Sequence, residues 1–467
     1  MTALNGEGKI KQPKDLYFCG VMLSFTGFSY YAMKLVLLLF LAEAPAKGGL
    51  GLTSAEATII MASLMAWSYL SPIVGGWISD RFLGPKRCIS IGLLILSAGY
   101  LVGFFATSKF MVQIMILLCV IGPGLYKGNL QTLVGNIYSN DDPRKDGAFS
   151  IAYMFTNIGV FFGPLLGGLV ANQWFANKNG AEIAIYGYKY VFLLSAIVAF
   201  IGFIVFTIGQ RKYCIESINN NEENDTKALL EHKKELAAKP LTKKEKEKMV
   251  VILTLAFFTV FFWLAYNQAS MSIALYTQEN INLAVGNFQV PTSWIDSYNG
   301  LLCVLLGPVM AAIWLKMSKT KRGDLSIPLK MSLGFIFLAG GFAFMIGAVM
   351  QSGYGDAVVQ KASIFWLIAF LTLQTVGEMC FAPVGYGMVN KLAPAKYSSL
   401  FMGVWFASTF FANKLAGYVQ VVIDNMGILQ VFIIIPVSLL ALGLILAILN
   451  KKLEQLASDD NRKQLVS

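Results

Sequence analysis

The chain has 467 residues, 56% of them hydrophobic and only 13% charged, with a mean hydropathy of +0.62. A water-facing globule of this length cannot hide so much apolar surface, so the composition excludes a soluble fold and leaves a bundle of membrane-crossing helices. The net charge of +11 suits anionic lipid headgroups, and no folded basic face suggests nucleic acid as a partner.

Residues 1–15 are polar and lack the apolar core of a signal peptide, so the first span is expected to stay in place as a signal anchor. Roughly 20 apolar residues cross a ~30 Å hydrocarbon core as a helix. By that measure spans are predicted at 16–42, 53–77, 88–105, 110–137, 149–175 and 186–208. Residues 209–248 then interrupt the pattern with many charges, an Asn run at 219–221 and Pro240. Leu229, Leu230, Leu236 and Ala237 could share one face of a short surface helix there, although a solvated charge run is the simpler reading. Six more spans follow at 249–277, 293–317, 328–350, 362–387, 398–424 and 429–450. The expected organisation is an N-terminal six-helix bundle over 1–208, a charged linker over 209–248 and a C-terminal six-helix bundle over 249–467.

Lys and Arg collect in alternate loops. Lys9, Lys11 and Lys14 precede span 1, Arg81, Lys86 and Arg87 follow span 2, and Arg144 and Lys145 follow span 4. Lys316, Lys319, Lys321 and Arg322 follow span 8, Lys391 and Lys396 follow span 10, and Lys451 and Lys452 close the last span. The positive-inside rule therefore places both termini in the cytoplasm. The six cysteines, Cys19, Cys88, Cys119, Cys214, Cys303 and Cys380, show no metal-ligand spacing and are expected as free thiols. No metal or cofactor is expected.

A charge deep in a span costs at least ~2.5–3.5 kcal/mol on insertion scales, so each one needs a reason. Lys34, Lys127, Glu378 and Lys414 are the four that stand out. Lys34 and Lys414 have the alternative of snorkelling to an interface. Lys127 and Glu378 lie among helix-interrupting residues, Gly122-Pro123-Gly124 and Pro383, Gly385 and Gly387, and such backbone at membrane depth lines cavities or is buried in protein. The segment from Gly122 to Gly128 lacks the strand and spacing of a phosphate loop, and close helix approach explains its small residues better. Asn157, Asn267 and Asn299 suit interhelical hydrogen bonds, while Tyr30, Tyr31, Tyr69 and Trp405 offer aromatic surface with polar tips.

Several blocks resemble a known family. Gly75-Gly76-Trp-Ile-Ser-Asp80-Arg81 with Gly84-Pro-Lys-Arg87 resembles the span 2–3 motif of the major facilitator superfamily, in which Asp80 and Arg81 are gating charges. Gly124-Leu-Tyr-Lys127, Gly135-Asn-Ile-Tyr138, Asp142-Pro-Arg-Lys-Asp146, Phe149, Tyr153, Asn157 and Gly159 resemble the signature of its proton-dependent oligopeptide transporter family. Gly377-Glu378, Met402-Gly403-Val-Trp405-Phe406 and Asn413-Lys-Leu-Ala-Gly417 are similar to that family's spans 10 and 11.

The resemblance implies an all-α integral membrane protein with the major facilitator fold, twelve transmembrane helices in two six-helix bundles. It implies a monomeric importer of di- and tripeptides, coupled to protons, in a bacterial inner membrane. Lys127 would hold the peptide carboxylate and Glu378 its ammonium, with Tyr30, Tyr31, Tyr69, Asn157, Asn267, Asn299 and Trp405 lining the cavity. A short peptide is a dipole whose ends lie up to ~3.3–3.6 Å apart per residue, so a fixed cation and anion read it regardless of side chains.

The chain departs from the family in span 1, where Leu23, Thr26 and Gly27 stand in place of a Glu-x-x-Glu-Arg cluster, and in span 7, where Asn267 replaces an acid. Lys34 occupies the place of a family cation close to that missing acid, and is expected as a gating charge with Asp80 and Arg81 or as a carboxylate ligand in place of the one lost at Gly27. The one histidine, His232, lies in the linker. Glu378 is thus the expected proton carrier, with uniport driven by the peptide gradient alone as the other possibility. Three core bases against one acid would also suit an amino acid, a peptide-like metabolite or an organic anion as cargo. A membrane enzyme is disfavoured because no catalytic groups converge.

Overall fold

The computed structural model describes residues 12–138, 142, 144–180, 182–213, 241–286, 288–320, 325–353, 360–382, 388–389, 392–394 and 397–458. Most of the linker lies outside these residues, and with it the leucine-lined face expected at 229–237, His232 and Cys214. Pro383, Gly385 and Gly387 also lie outside them.

Helices dominate. In the first half of the sequence they are α1 (Lys14–Ala42), α2 (Ser54–Ile78), α3 (Gly84–Phe105), α4 (Lys109–Asn136), α5 (Lys145–Leu169) and α6 (Tyr188–Tyr213). In the second half they are α7 (Lys243–Tyr266), α8 (Ser272–Asn280), α9 (Trp294–Ser318), α10 (Ile327–Ser352), α11 (Ile364–Phe381), α12 (Ser398–Ala416), α13 (Val419–Met426) and α14 (Ile428–Ala457). Sequence signals fix several starts. Thr53 with Glu56 and Thr242 with Glu245 form reciprocal capping boxes, and Ser108, Ser326 and Ser363 cap α4, α10 and α11.

Ten helical stretches among the described residues are long and apolar enough to cross a membrane. One of them, Ser54–Phe105, runs for 52 residues and supplies length for two crossings. It turns at Gly84, whose φ of +72° is open to glycine at little cost. Two expected spans are interrupted. The span at 249–277 breaks into α7, a 3-10 turn over Asn267–Ser270 and α8, and the span at 398–424 divides between α12 and α13. Polar residues sit at the first break, where Asn267, Gln268 and Ser270 are all buried.

The chain forms two compact units, one within residues 1–221 and 283–301, the other within 222–282 and 302–467. In the first unit, glycines let helices meet backbone to backbone. A Cβ on Gly75 of α2 would stand 1.8 Å from the Gly124 carbonyl oxygen of α4, and one on Gly92 of α3 would stand 2.6 Å from the Gly122 carbonyl oxygen. Gly27 and Gly159 do the same between α1 and α5. The small residues around Pro123 are therefore packing surfaces, as the sequence suggested.

The second unit is joined by rings. Phe262 of α7 stacks on Phe381 of α11 with centroids 3.9 Å apart, and both meet Phe335 of α10 edge-on at 5.7 Å. Five described cysteines, Cys19, Cys88, Cys119, Cys303 and Cys380, are free thiols.

Candidate functional site

In the first unit Lys34 and Lys127 lie in the interior of apolar helices, away from the helix ends. Lys34 of α1 is 8% exposed, and its Nζ stands 3.3 Å from both carboxylate oxygens of Asp296, itself 8% exposed, in the first turn of α9. Oδ1 accepts a hydrogen bond, whereas Oδ2 has the distance of an ion pair without hydrogen-bond geometry. Lys34 thus does not snorkel. A buried charge is tolerable when paired, and Asp296 gains further from the helix N-terminus around it. The Tyr31 ring lies 5.4 Å from the same ammonium, and Tyr30 packs edge-on against Tyr31 at 5.2 Å. The Tyr30 hydroxyl reaches Ser68 and sits near Tyr69, Tyr126 and Asp296.

Lys127 of α4 is exposed, and among the described residues it makes no ion pair. Its Nζ lies 5.4 Å from the Tyr69 ring centroid on α2. Such a contact is worth roughly 0.5–1 kcal/mol at an exposed site, far short of neutralising the charge.

Asn157 donates to the Tyr153 carbonyl of its own helix, and Asn299 is half-buried in α9. Asp80 and Arg81 are exposed in a π-turn over Ser79–Leu83, with the Arg81 guanidinium 5.9 Å from the Trp77 ring. Beyond α4, Arg144 chelates Asp142 through Nε at 3.0 Å and Nη2 at 2.7 Å. Those charged hydrogen bonds hold the Asp142 carboxyl below its usual range.

In the second unit the half-buried Glu378 of α11 accepts a 2.7 Å hydrogen bond on Oε2 from the Tyr266 hydroxyl at the end of α7. The Cys303 thiol of α9 points at the same oxygen from 3.8 Å. Asn267 donates to Asn413 Oδ1 at 2.9 Å, and Asn413 in turn donates to the Thr409 carbonyl. Gln268 is fully buried and donates to the carbonyls of Leu264 and Ala416. Trp405 is buried in α12, and Lys414 is half-buried on the same helix.

Glu378 is therefore not the sole carboxylate of the membrane-embedded helices, because Asp296 is a second. The sequence reading passed over Asp296 because an acid in a helix's first turn already has a bland role there. Its position three residues past the start of the apolar span predicted at 293–317, with a lysine deep in span 1, was the available signal. Tyr266 and Cys303 were also missed; their position next to Asn267 and inside span 8 gave no sign that they meet Glu378.

A sequence profile described as the POT family matches residues 86–231 and 218–434. Among curated proteins, the uncharacterized transporter YclF of Bacillus subtilis is 28% identical, with 95% of each chain covered. The dipeptide and tripeptide permease A of Escherichia coli is 28% identical over 96% of this chain and 94% of its own. Among solved structures, a mutant peptide transporter POT in complex with alafosfalin is 26% identical and superposes with a TM-score of 0.83 over 96% of both chains. The fold is accordingly that of an all-α, multi-pass integral membrane protein of the major facilitator type, and the chain belongs to the POT family of transporters.

Proposed function

We propose that this protein imports di- and tripeptides by alternating access, coupled to protons, as a monomer in a bacterial inner membrane with both termini in the cytoplasm. Family membership over most of the chain supports the transport of peptides. The observation that carries the reading is Lys127, an ammonium inside a membrane helix with no ion pair among the described residues. A carboxylate-bearing cargo would supply the missing anion, and Glu378 would receive the ammonium at the other end. Tyr30, Tyr31, Tyr69, Asn157, Asn267, Asn299 and Trp405 complete the proposed binding set. Asp80 and Arg81 serve in gating. No covalent chemistry is assigned to any of them.

Binding energy drives the cycle only as far as the cargo distinguishes the two access states. Asp296 bears on the cargo. By pairing with Lys34 it removes one of the surplus bases that would have favoured an organic anion. The neutral Asn267–Asn413 pair bears on energetics, because an amide pair has no proton to exchange. It favours a second reading in which peptides move down their own gradient.

Purified protein in liposomes, loaded to create an inward pH gradient, tests both. Labelled di-alanine should accumulate above equilibrium and be displaced by unlabelled tripeptide but not by free alanine. Equilibration without accumulation would select uniport, and indifference to any peptide would overturn the cargo assignment. Glu378→Gln should abolish gradient-driven accumulation; if accumulation persists, Glu378 is not the proton carrier.

A further inference from the structure

We infer that Tyr266 and Cys303 are positioning residues that set the Glu378 carboxylate for the ammonium end of a peptide, an inference that rests on the binding role proposed for Glu378. Three helices converge on one carboxylate oxygen. Tyr266 comes from the end of α7, Cys303 from α9 and Glu378 from α11.

The geometry is braced on both sides. The Tyr266 backbone carbonyl accepts a 3.1 Å hydrogen bond from Gln374, one turn before Glu378 on α11. Its ring packs edge-on against Trp263 at 4.9 Å and lies parallel to Phe262 at 6.2 Å. Phe262 in turn stacks on Phe381, three residues after Glu378. The α7–α11 register and the phenol-to-carboxylate hydrogen bond are thus fixed by the same contacts.

The choice of donors matters chemically. A hydroxyl and a thiol orient a carboxylate while leaving its formal charge intact. A lysine or arginine at either position would orient it too, but would compete with an incoming ammonium for the same charge. A carboxylate has about four lone-pair sites, so two donors on Oε2 do not exhaust its capacity. The Tyr266 and Cys303 donors are neutral, so neither of them cancels the charge that an ammonium would meet at Glu378. Truncating the phenol oxygen removes the stronger of the two restraints and lets the carboxylate swing.

The test uses purified full-length protein in liposomes, with exchange of labelled di-alanine as readout so that proton coupling does not enter. Tyr266→Phe, which keeps the ring packing, should raise KM about ten-fold, the equivalent of ~1.4 kcal/mol, with maximal rate within about two-fold. Cys303→Ala should raise KM about two-fold while Cys303→Ser, which keeps a donor, should not. N-acetyl-di-alanine lacks the ammonium, so its inhibition constant should be the same in wild type and Tyr266→Phe.

A KM unchanged in Tyr266→Phe but raised in Glu378→Gln would overturn the positioning role and leave the binding role of Glu378 standing. An unchanged KM in Glu378→Gln would remove the binding role and the inference with it. Equal weakening of free and acetylated peptide would also overturn it, since that outcome reports a general distortion. Should Tyr266→Phe fail to fold, the contrast between the alanine and serine variants at Cys303 still decides.

Discussion

Lys34 and Lys127 lie in the same structural unit, each inside an apolar helix, yet they have opposite surroundings. Lys34 is buried with a carboxylate 3.3 Å away and a tyrosine ring beside it. Lys127 is exposed, has a tyrosine ring at the same 5.4 Å, and makes no ion pair among the described residues. The aromatic neighbour is common to both, so it does not explain the difference. The carboxylate does. A membrane helix can hold an ammonium either by neutralising it within the protein or by leaving it for something that arrives. The first solution builds structure, and the second builds a site.

That contrast can be broken most forcefully at Asp296. Asp296→Ala leaves the Lys34 ammonium buried without its partner and should cost about 3–5 kcal/mol of stability, seen as a large fall in thermal midpoint in detergent. Replacing both members, Lys34→Met with Asp296→Leu, should recover most of that loss, because an apolar pair of similar volume avoids the desolvation penalty. If the single variant is as stable as wild type, Lys34 is no better neutralised than Lys127 and the contrast fails.

The converse holds at Lys127. Lys127→Ala should keep the wild-type stability within about 1 kcal/mol, since no ion pair among the described residues is broken, while peptide uptake falls by more than about ten-fold. Loss of folding with loss of uptake would place Lys127 in the same class as Lys34.

A finer probe is the ring that the lysines share in kind. Tyr69→Leu should raise the KM for di-alanine about two- to five-fold, in line with a cation–π contact of roughly 0.5–1 kcal/mol. A much larger effect would show that Tyr69 touches the cargo itself.

The weakest effect belongs to a third arrangement, the pair Asp142–Arg144 beyond α4. Its carboxyl titrates below the usual value in the folded protein, so its contribution is present above the ordinary carboxylate range and disappears as pH falls through the lowered value. Arg144→Gln should therefore lower stability slightly at neutral pH, and the difference from wild type should vanish as pH falls through the lowered value. An equal effect at pH 7 and pH 3 would contradict that sign.

Much of the helical pattern was legible before any coordinates, because a crossing helix needs a long apolar run and loops collect the charges. Gly84 and the capping boxes at Thr53 and Thr242 marked real boundaries for local reasons that a sequence displays directly. The break at Asn267 was less visible, since buried amides inside an apolar stretch look like interhelical glue whether or not the helix continues. Lys127 and Glu378 could be singled out by cost alone. Their neighbours could not. Asp296, Tyr266 and Cys303 matter through contacts spanning 262, 112 and 75 positions of sequence, and no spacing rule reaches that far. Asn157 illustrates the opposite error, for its amide bonds to its own helix where a cross-helix role was expected.

The separation of Lys34 from Asp296 has a consequence for biogenesis. The first helix is synthesised 262 residues ahead of its counter-ion. At roughly 5–20 residues per second the ribosome needs on the order of ten to fifty seconds to cover that interval. During that time a nascent chain already in the bilayer carries an ammonium whose native partner has not yet been translated, so the N-terminal helices cannot reach their final state until the eighth apolar segment emerges.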